Sequence, residues 1–317
     1  MVSALINKGK VADYSSRDQE AQVAFYVLLW KRKGISLKLF DDYWRDVHGP
    51  VCARLPAQYQ YWQFHVAHND GGVWPSIGDL VDASSAEENF DGIAELTFKT
   101  VEDRNKWFNA ATILMDDEHN IFSKAIGYNT SPGNSITFKD GIENGSPNGY
   151  LGLEKYHCMI RKADGVKLED FRSYYKEQFA PALAKMAHVL KLRLHLFDEV
   201  DNTRPDADGV SHSELPELNY QAAVEIAYWN RLELELLFAS KDFKNLVSEH
   251  SKYVKEIRPF PERSAYTFVN DGKMTLAGQR SSTVAQLIMD IGAANQLQDD
   301  IVDLMLKNQL LKNQLTD

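Results

Sequence analysis

"KGISLKLFDDYWRDVHGPVCARL" (residues 33–55) returns later in the chain, altered but in register, as "DGVKLEDFRSYYKEQFAPALAKM" (164–186). Gly34 and Gly165, Phe40 and Phe171, Tyr43 and Tyr174, and Pro50 and Pro181 all stand 131 residues apart, with no gap between them. A duplication sets the architecture, so it takes precedence over any single motif. Within the first copy, Phe40, Tyr43, Trp44 and Val47 recur at i, i+3, i+4 and i+7, the spacing of one helix face. Gly49 and Pro50 are expected to end or kink that helix. His48 falls four residues after Trp44 and closes the apolar face. It is either a core histidine with a hydrogen-bond partner or a ring directed into a cavity.

The duplication extends outward from the helix. "VAFYVLLW" (23–30) and "EKYHCMIR" (154–161) precede the two copies and read as strands. "QYQYWQFHVAH" (58–68) and "KLRLHLFDEV" (191–200) follow them. "NFDGIAELTF" (89–98) and "NYQAAVEIAY" (219–228) are again strand-like, with Glu95 matching Glu225. Helical patterns come next, at roughly 101–115 and 230–248, and closing strands near 121–129 and 263–269. Each half therefore reads β-α-β-β-α-β, the ferredoxin-like unit. Such a sheet carries helices on one face only, so two sheets can cover each other's bare faces.

The expected fold is α+β, with two ferredoxin-like repeats forming one intramolecular barrel. The expected division is a flexible N-terminus (1–20), a first repeat (21–130), a linker rich in Gly, Ser, Asn and Pro (131–152), a degenerate second repeat (153–272) and a C-terminal helical extension (273–317). The stretch "DNTRPDADGVSHSELPE" (201–217) reads as an insertion in the second half only, a surface loop or partial lid. In the extension, Val284, Leu287, Ile288, Ile291, Leu297, Ile301, Leu304 and Met305 make a helical stripe that packs on the barrel or, alternatively, forms a homodimer contact.

The chain of 317 residues has a formal net charge of −10. Acidic residues outnumber the clustered Lys and Arg that phosphate recognition needs, so no nucleic-acid partner is expected. No apolar run reaches the roughly 18 residues of a membrane span, so no membrane partner is expected. Two cysteines, Cys52 and Cys158, make neither a disulfide framework nor a zinc cluster. With no signal-peptide pattern at the start, a reduced, cytoplasmic protein is expected.

Several side chains have the chemistry of a site. Glu95 lies within the apolar strand "GIAELTF". If it faces a cavity, desolvation should raise its pKa and suit it to general acid–base work. A buried pair with Arg or Lys is the structural alternative. Tyr61, Gln63 and His65 share one strand face, and Trp62, Phe64 and Val66 the other. His65 and His68 fall on opposite faces, which is poor geometry for one metal. Neither a nucleotide-binding glycine motif nor GxSxG is present.

The stretches "YVLLWKRKGIS" (26–36), "FDDYWRDVHGPVCARLP" (40–56) and "FDGIAELTFKTVEDRNKW" (90–107) resemble the EthD family of the dimeric α+β barrel superfamily. The resemblance covers roughly 25–130. It implies a pocket between the sheet and its helices that takes small hydrophobic ligands. The second half departs from the pattern, with Phe179 where the first has His48 and Ala180 where it has Gly49.

The resemblance implies a pocket role for His48, as a proton shuttle, and places Tyr43 and Trp44 close by as substrate-binding candidates. Strand positions add Glu95 as a second catalytic candidate and Tyr61 and His65 as substrate-binding candidates. The expected substrate is an aromatic or apolar carbonyl compound. The expected chemistry is lyase-like elimination, cyclisation, isomerisation or cofactor-free oxidation, with no metal and no cofactor; haem ligation stays open. The fold does not fix the reaction. The alternative is a non-catalytic accessory or ligand-binding protein that supports a catabolic oxygenase. An enzyme should bring a second polar group into the pocket with His48, whereas a carrier's pocket should be lined by apolar side chains alone.

Overall fold

The computed structural model describes residues 15–142 and 145–307. The first half begins with a short helix, α1 (Ser15–Glu20), and strand β1 (Val23–Lys31). The helix of the duplicated motif follows as α2 (Leu37–Tyr43), a π-helical turn (Trp44–His48) and α3 (Gly49–Cys52). The Ser36 hydroxyl caps α2 by accepting from the Leu39 N–H. Then come β2 (Gln58–Val66), β3 (Gly92–Phe98), α4 (Val101–Ala110), α5 (Thr112–Ile121) and β4 (Phe122–Asn129). These strands pair antiparallel in the order β4-β1-β3-β2.

Two short strands, β5 (Ser135–Asp140) and β6 (Asn148–Gly149), lead into the second half. It repeats the pattern: β7 (Glu154–Lys162), α6 (Leu168–Ser173), a π-helical turn (Tyr174–Phe179), α7 (Ala180–Ala184), β8 (Lys191–Leu196), β9 (Ala222–Tyr228), α8 (Arg231–Ala239), α9 (Lys241–Val247) and β10 (Val254–Asn270). The order β10-β7-β9-β8 matches that of the first half. The registers match too, since Val23 faces Phe98 and Glu154 faces Tyr228.

β10 joins the halves. Val254 to Pro261 pair with β7, and Glu262 to Val269 pair with β2. Pro259 and Pro261, which lack N–H donors, sit just before the change of partner. In the equivalent place the chain runs from β4, paired with β1, into β5, paired with β8. The strand order β4-β1-β3-β2-β10-β7-β9-β8-β5 thus begins and ends on consecutive chain segments. The inner faces bury a shared core that includes Tyr26, Trp62, Phe64, Tyr128, Phe197 and Phe260. On the outer face, each half packs its own helices in a separate core.

Five expectations are corrected. Of the two outcomes expected at Gly49 and Pro50, an end or a kink, the first does not occur: the helix continues. The Gly49 N–H bonds to the Trp44 carbonyl five residues back, and this wide turn accommodates a proline that breaks the ordinary ladder. The extra residue rotates Val47 outward, to 47 % exposure, and turns His48 inward, to 6 %. The second half has the same turn, with the Ala180 N–H on the Tyr175 carbonyl.

The expected linker 131–152 supplies β5 and β6, because the barrel needs a strand on the open edge of β8. Within the expected flexible N-terminus, α1 is ordered by Asp18, which accepts from Arg193 (3.0 Å) and the Thr137 N–H (2.6 Å); residues 1–14 lie outside the described residues. The 201–217 loop is no insertion unique to one half, since 67–91 and 197–221 connect equivalent strands over the same length. The closing strand of the second half is also much longer than 263–269, because it serves both sheets.

The C-terminal extension forms β11 (Lys273–Met274), α10 (Leu276–Arg280), α11 (Ser282–Ile291) and α12 (Asp299–Lys307), and residues 308–317 lie outside the described residues. α10 and the start of α11 pack on the first-half helix. Arg54 donates to the carbonyls of Gly278 (2.9 Å) and Gln279 (2.8 Å), and the Thr283 N–H donates to Asp46 (2.9 Å). Beyond that anchor Leu287, Met289, Ile291, Leu297 and Leu304 are exposed.

Candidate active site

His48 lies in a cavity between the outer face of the first-half sheet and its helices. β1 and β3 supply Phe25, Val27, Ala94 and Leu96 as its apolar wall. Trp44, Cys52 and Tyr61 line it beside His48, and Glu118 from α5 brings a carboxylate. The free space is about 40 Å³, room for water or a small group when unliganded.

Asp117, also on α5, holds the histidine. The His48 Nδ1 lies 2.8 Å from Asp117 Oδ2. The Tyr43 hydroxyl donates to Asp117 Oδ1 at 2.6 Å, and the Asn120 amide donates to the same oxygen at 3.0 Å. Partial burial pushes the Asp117 carboxyl up, but hydrogen bonds from His48, Tyr43 and Asn120 outweigh it and hold it well below the usual range. The same contact, with some burial, pushes the Tyr43 phenol up to about 12. An ionised Asp117 accepts a hydrogen bond from Nδ1–H, and Nε2 has no protein partner among the described residues.

The other half of the chain closes this cavity. Arg204, in the 197–221 loop, lines it and lies 3.5 Å from Glu118. His212 of the same loop meets Glu118 at 2.6 Å through Nε2, while its Nδ1 lies 2.7 Å from the Pro205 carbonyl. Ser211 runs alongside β4, exchanging backbone hydrogen bonds with Ser123 and Ala125. The partial-lid reading of 201–217 thus corresponds to a cap that crosses from one half to the other.

The structure brings His48, Trp44 and Tyr61 together on one cavity, with Tyr43 joined to them through Asp117. It places two candidates elsewhere. His65 stacks behind Trp44, with ring centroids 4.6 Å apart, and its Nδ1 meets Asp41 at 2.8 Å. Arg263 grips the same Asp41 with two hydrogen bonds, of 2.7 and 2.9 Å. His65 therefore supports the indole from behind and does not line the cavity.

Glu95 points through the sheet into the barrel. Arg193 donates to it from Nε (2.9 Å), with Nη2 at 2.8 Å, and His195 lies 3.4 Å away. Full burial pushes the carboxyl up, but the Arg193 charge wins and holds it at about 2, so the raised pKa expected of a cavity-facing Glu95 is overturned. Glu225, its repeat, is paired with Lys155 (2.6 Å) and Lys191 (2.9 Å). His157, Glu225 and Glu262 lie close enough together to suit a cation, but the Lys155 ammonium already bridges the two glutamates.

Asp117, Glu118, Arg204 and His212 escaped sequence reasoning. The signal for the first two was a run of three acidic residues in "DDEH" (116–119), in an apolar helix directly before a strand; nothing local marks the others.

The EthD domain family matches residues 32–125. No curated protein matches the chain in sequence. Among solved structures, the chain is similar to an anthrone oxidase-like protein at 7 % identity and a TM-score of 0.46, covering 78 % of this chain and 93 % of that one. It is also similar to a chlorite dismutase from Candidatus Nitrospira defluvii, at 11 % identity and a TM-score of 0.36, covering 80 % and 94 %. A dimeric protein of ferredoxin-like fold from Bacteroides fragilis NCTC 9343 covers 38 % of this chain and 99 % of its own, at 13 % identity and a TM-score of 0.26. The segment the EthD domain family matches thus includes the motif helix, β3 and the Asp117 helix, while β1 and Arg204, which complete the cavity, lie outside it.

Proposed function

We propose that the chain is an enzyme acting on a small apolar molecule in the first-half cavity, with His48 as its proton shuttle. The observation that carries this reading is the His48–Asp117 pair, which leaves Nε2 unpartnered in a cavity also lined by Glu118 and Arg204. Nε2 takes a proton from the substrate, Asp117 stabilises the imidazolium that forms, and Nε2 returns the proton at a second position. Tyr43 and Asn120 keep Asp117 ionised and oriented. Arg204 supplies the positive charge toward which an enolate or phenolate oxygen develops. The substrate class is an aromatic or apolar carbonyl compound, and the reaction is an elimination, cyclisation, isomerisation or cofactor-free oxidation begun by that proton transfer.

Convergence of His48 with other polar groups favours catalysis over passive carriage, since a carrier needs only the apolar wall. The test is hydrogen–deuterium exchange at the α-carbon of a panel of aryl ketones in D₂O, followed by NMR. The native protein should accelerate exchange for at least one member, and His48→Phe should abolish the acceleration. Binding without exchange would establish the accessory, ligand-binding role instead.

A further inference from the structure

The second half has a cavity of its own in the equivalent place, lined by Cys158, Tyr175, Phe179, Ile226, Tyr228 and, from the opposite half, Trp74. The two cavities correspond position by position. Cys158 stands for Val27, Tyr175 for Trp44 and Phe179 for His48. Trp74 stands for Arg204, each carried on the loop that crosses between halves. The polarity is reversed, however. Where the first cavity has a free imidazole nitrogen, a carboxylate and a guanidinium, the second has an apolar wall.

His250 does not restore a base there. Its Nδ1 is held by the Tyr174 hydroxyl at 2.9 Å and its Nε2 by that of Tyr175 at 3.0 Å, so neither nitrogen is free. Two other donors are free. The Tyr228 hydroxyl is buried and has no hydrogen-bond partner among the described residues, and the same holds for Trp74 Nε1. Buried donors are nearly always paired, so two orphans on one apolar cavity call for an occupant. The fold itself does not require the hydroxyl. The first half has Phe98 at the position of Tyr228, equally buried and in the same register with its neighbour strand.

We infer that the second-half cavity is a separate binding site for a small apolar molecule bearing a hydrogen-bond-accepting oxygen, such as an aryl ketone or quinone, with Tyr228 and Trp74 donating to that oxygen. Trp74 is only partly buried, packed edge-on against Phe238 (5.1 Å) and tilted against Tyr156 (5.9 Å). It sits on a loop between strands, so it is the side that yields when a ligand larger than the free space of about 20 Å³ enters. The site binds and does not catalyse, because no free base faces it. It stands apart from the reaction proposed for the first half.

The experiment is calorimetric titration of the full-length protein with acetophenone and, as the isostere lacking the acceptor, with α-methylstyrene. Tyr228→Phe and Trp74→Phe are titrated in parallel, and aryl-ketone exchange at the first-half cavity is recorded as a control on folding. The native protein should show an acetophenone site that discriminates against the hydrocarbon. That site should weaken about tenfold or more in Tyr228→Phe, while first-half exchange or circular dichroism stays unchanged. Equal binding of ketone and hydrocarbon, or no weakening in either variant, overturns the assignment. So does a crystal structure of the soaked protein in which a fixed water alone bridges Tyr228 Oη and Trp74 Nε1.

Discussion

Asp117 Oδ2 lies 2.8 Å from His48 Nδ1, and this contact ties the helix before β4 to the π-turn of the motif helix. The two residues are distant in the chain and come from different elements, so the pair exists only when the first half is folded. Asp117→Asn should retain the fold, because an amide still accepts from Tyr43. It would offer Nδ1 a dipole in place of a charge and could stabilise the wrong tautomer. Turnover should fall on the order of 10²–10⁴-fold. Tyr43→Phe, which removes one of three hydrogen bonds to Asp117, should lower the rate far less. Native turnover in Asp117→Asn would show that Asp117 has no part in orienting His48.

His48→Phe tests the ring itself. Phe179 already occupies the equivalent place in the second half, beside a π-turn of the same form. A phenyl ring keeps most of the volume and loses the titratable nitrogens. Activity should vanish with a shift of only a few degrees in melting temperature. Retained activity would reduce His48 to a packing residue.

Gly49 explains why the motif reads His-Gly-Pro. A Cβ there would come within 2.6 Å of Phe268 Cζ and 2.9 Å of Gln63 Nε2. Gln63 also donates to the Trp44 carbonyl (3.0 Å), so it has little freedom to retreat. Gly49→Ala should destabilise by about 1–3 kcal/mol, the usual cost of overpacking. The reverse exchange in the second half, Ala180→Gly, should cost about 1 kcal/mol in helix propensity and about 0.8 kcal/mol for the methyl lost from the second-half core. Denaturant unfolding of the two variants measures the difference.

The repeat and the alternation of the strands made the two sheets legible in the sequence, because spacing alone reports which face a residue occupies. The faces of "QYQYWQFHV" came out as read, with Trp62, Phe64 and Val66 inside the barrel and Tyr61 outside. What escaped depended on long-range pairing. β10 looks like two features until both partners are known, and β5 looks like a linker until β8 needs an edge. Glu95 was read from its strand, but its charge state is set by Arg193, almost a hundred residues away. The inward turn of His48 was legible as a question, yet its answer needed a π-turn that ordinary helical periodicity cannot express.

The exposed stripe on α11 and α12 gives the homodimer reading its test. Leu287 and Ile291 lie on one helix at 62 % and 80 % exposure, outside the anchor on the first half. Contiguous apolar surface of this kind is a common mark of an interface. Light scattering should show a dimer at micromolar concentration, and Leu287→Glu with Ile291→Glu should give a monomer of unchanged fold. A native monomer at those concentrations would remove the dimer reading.

Acid should weaken the fold in two stages, the first of them set by buried histidines, His250 and His65. Burial pushes the pKa of His250 from 6.5 down to about 4, and two tyrosine hydroxyls enclose it. The unfolded chain therefore takes up the proton first. Stability is full above pH 6.5 and declines as the pH falls toward 4, by about 3 kcal/mol for a gap of that size. Glu95 acts lower down. Its folded pKa of about 2 lies below the ordinary 4.5, so its pairing with Arg193 contributes fully above pH 4.5 and is lost as the pH falls toward 2. His250→Gln keeps an amide to meet the tyrosines but cannot titrate. It should lessen the slope between pH 6.5 and 4, where His65, also pushed down by burial, still contributes, and leave the steeper loss below 4.5 in place. Urea unfolding at half-unit pH steps would measure both limbs. An unchanged slope above pH 4.5 in that variant would mean that another group, not His250, sets the first stage.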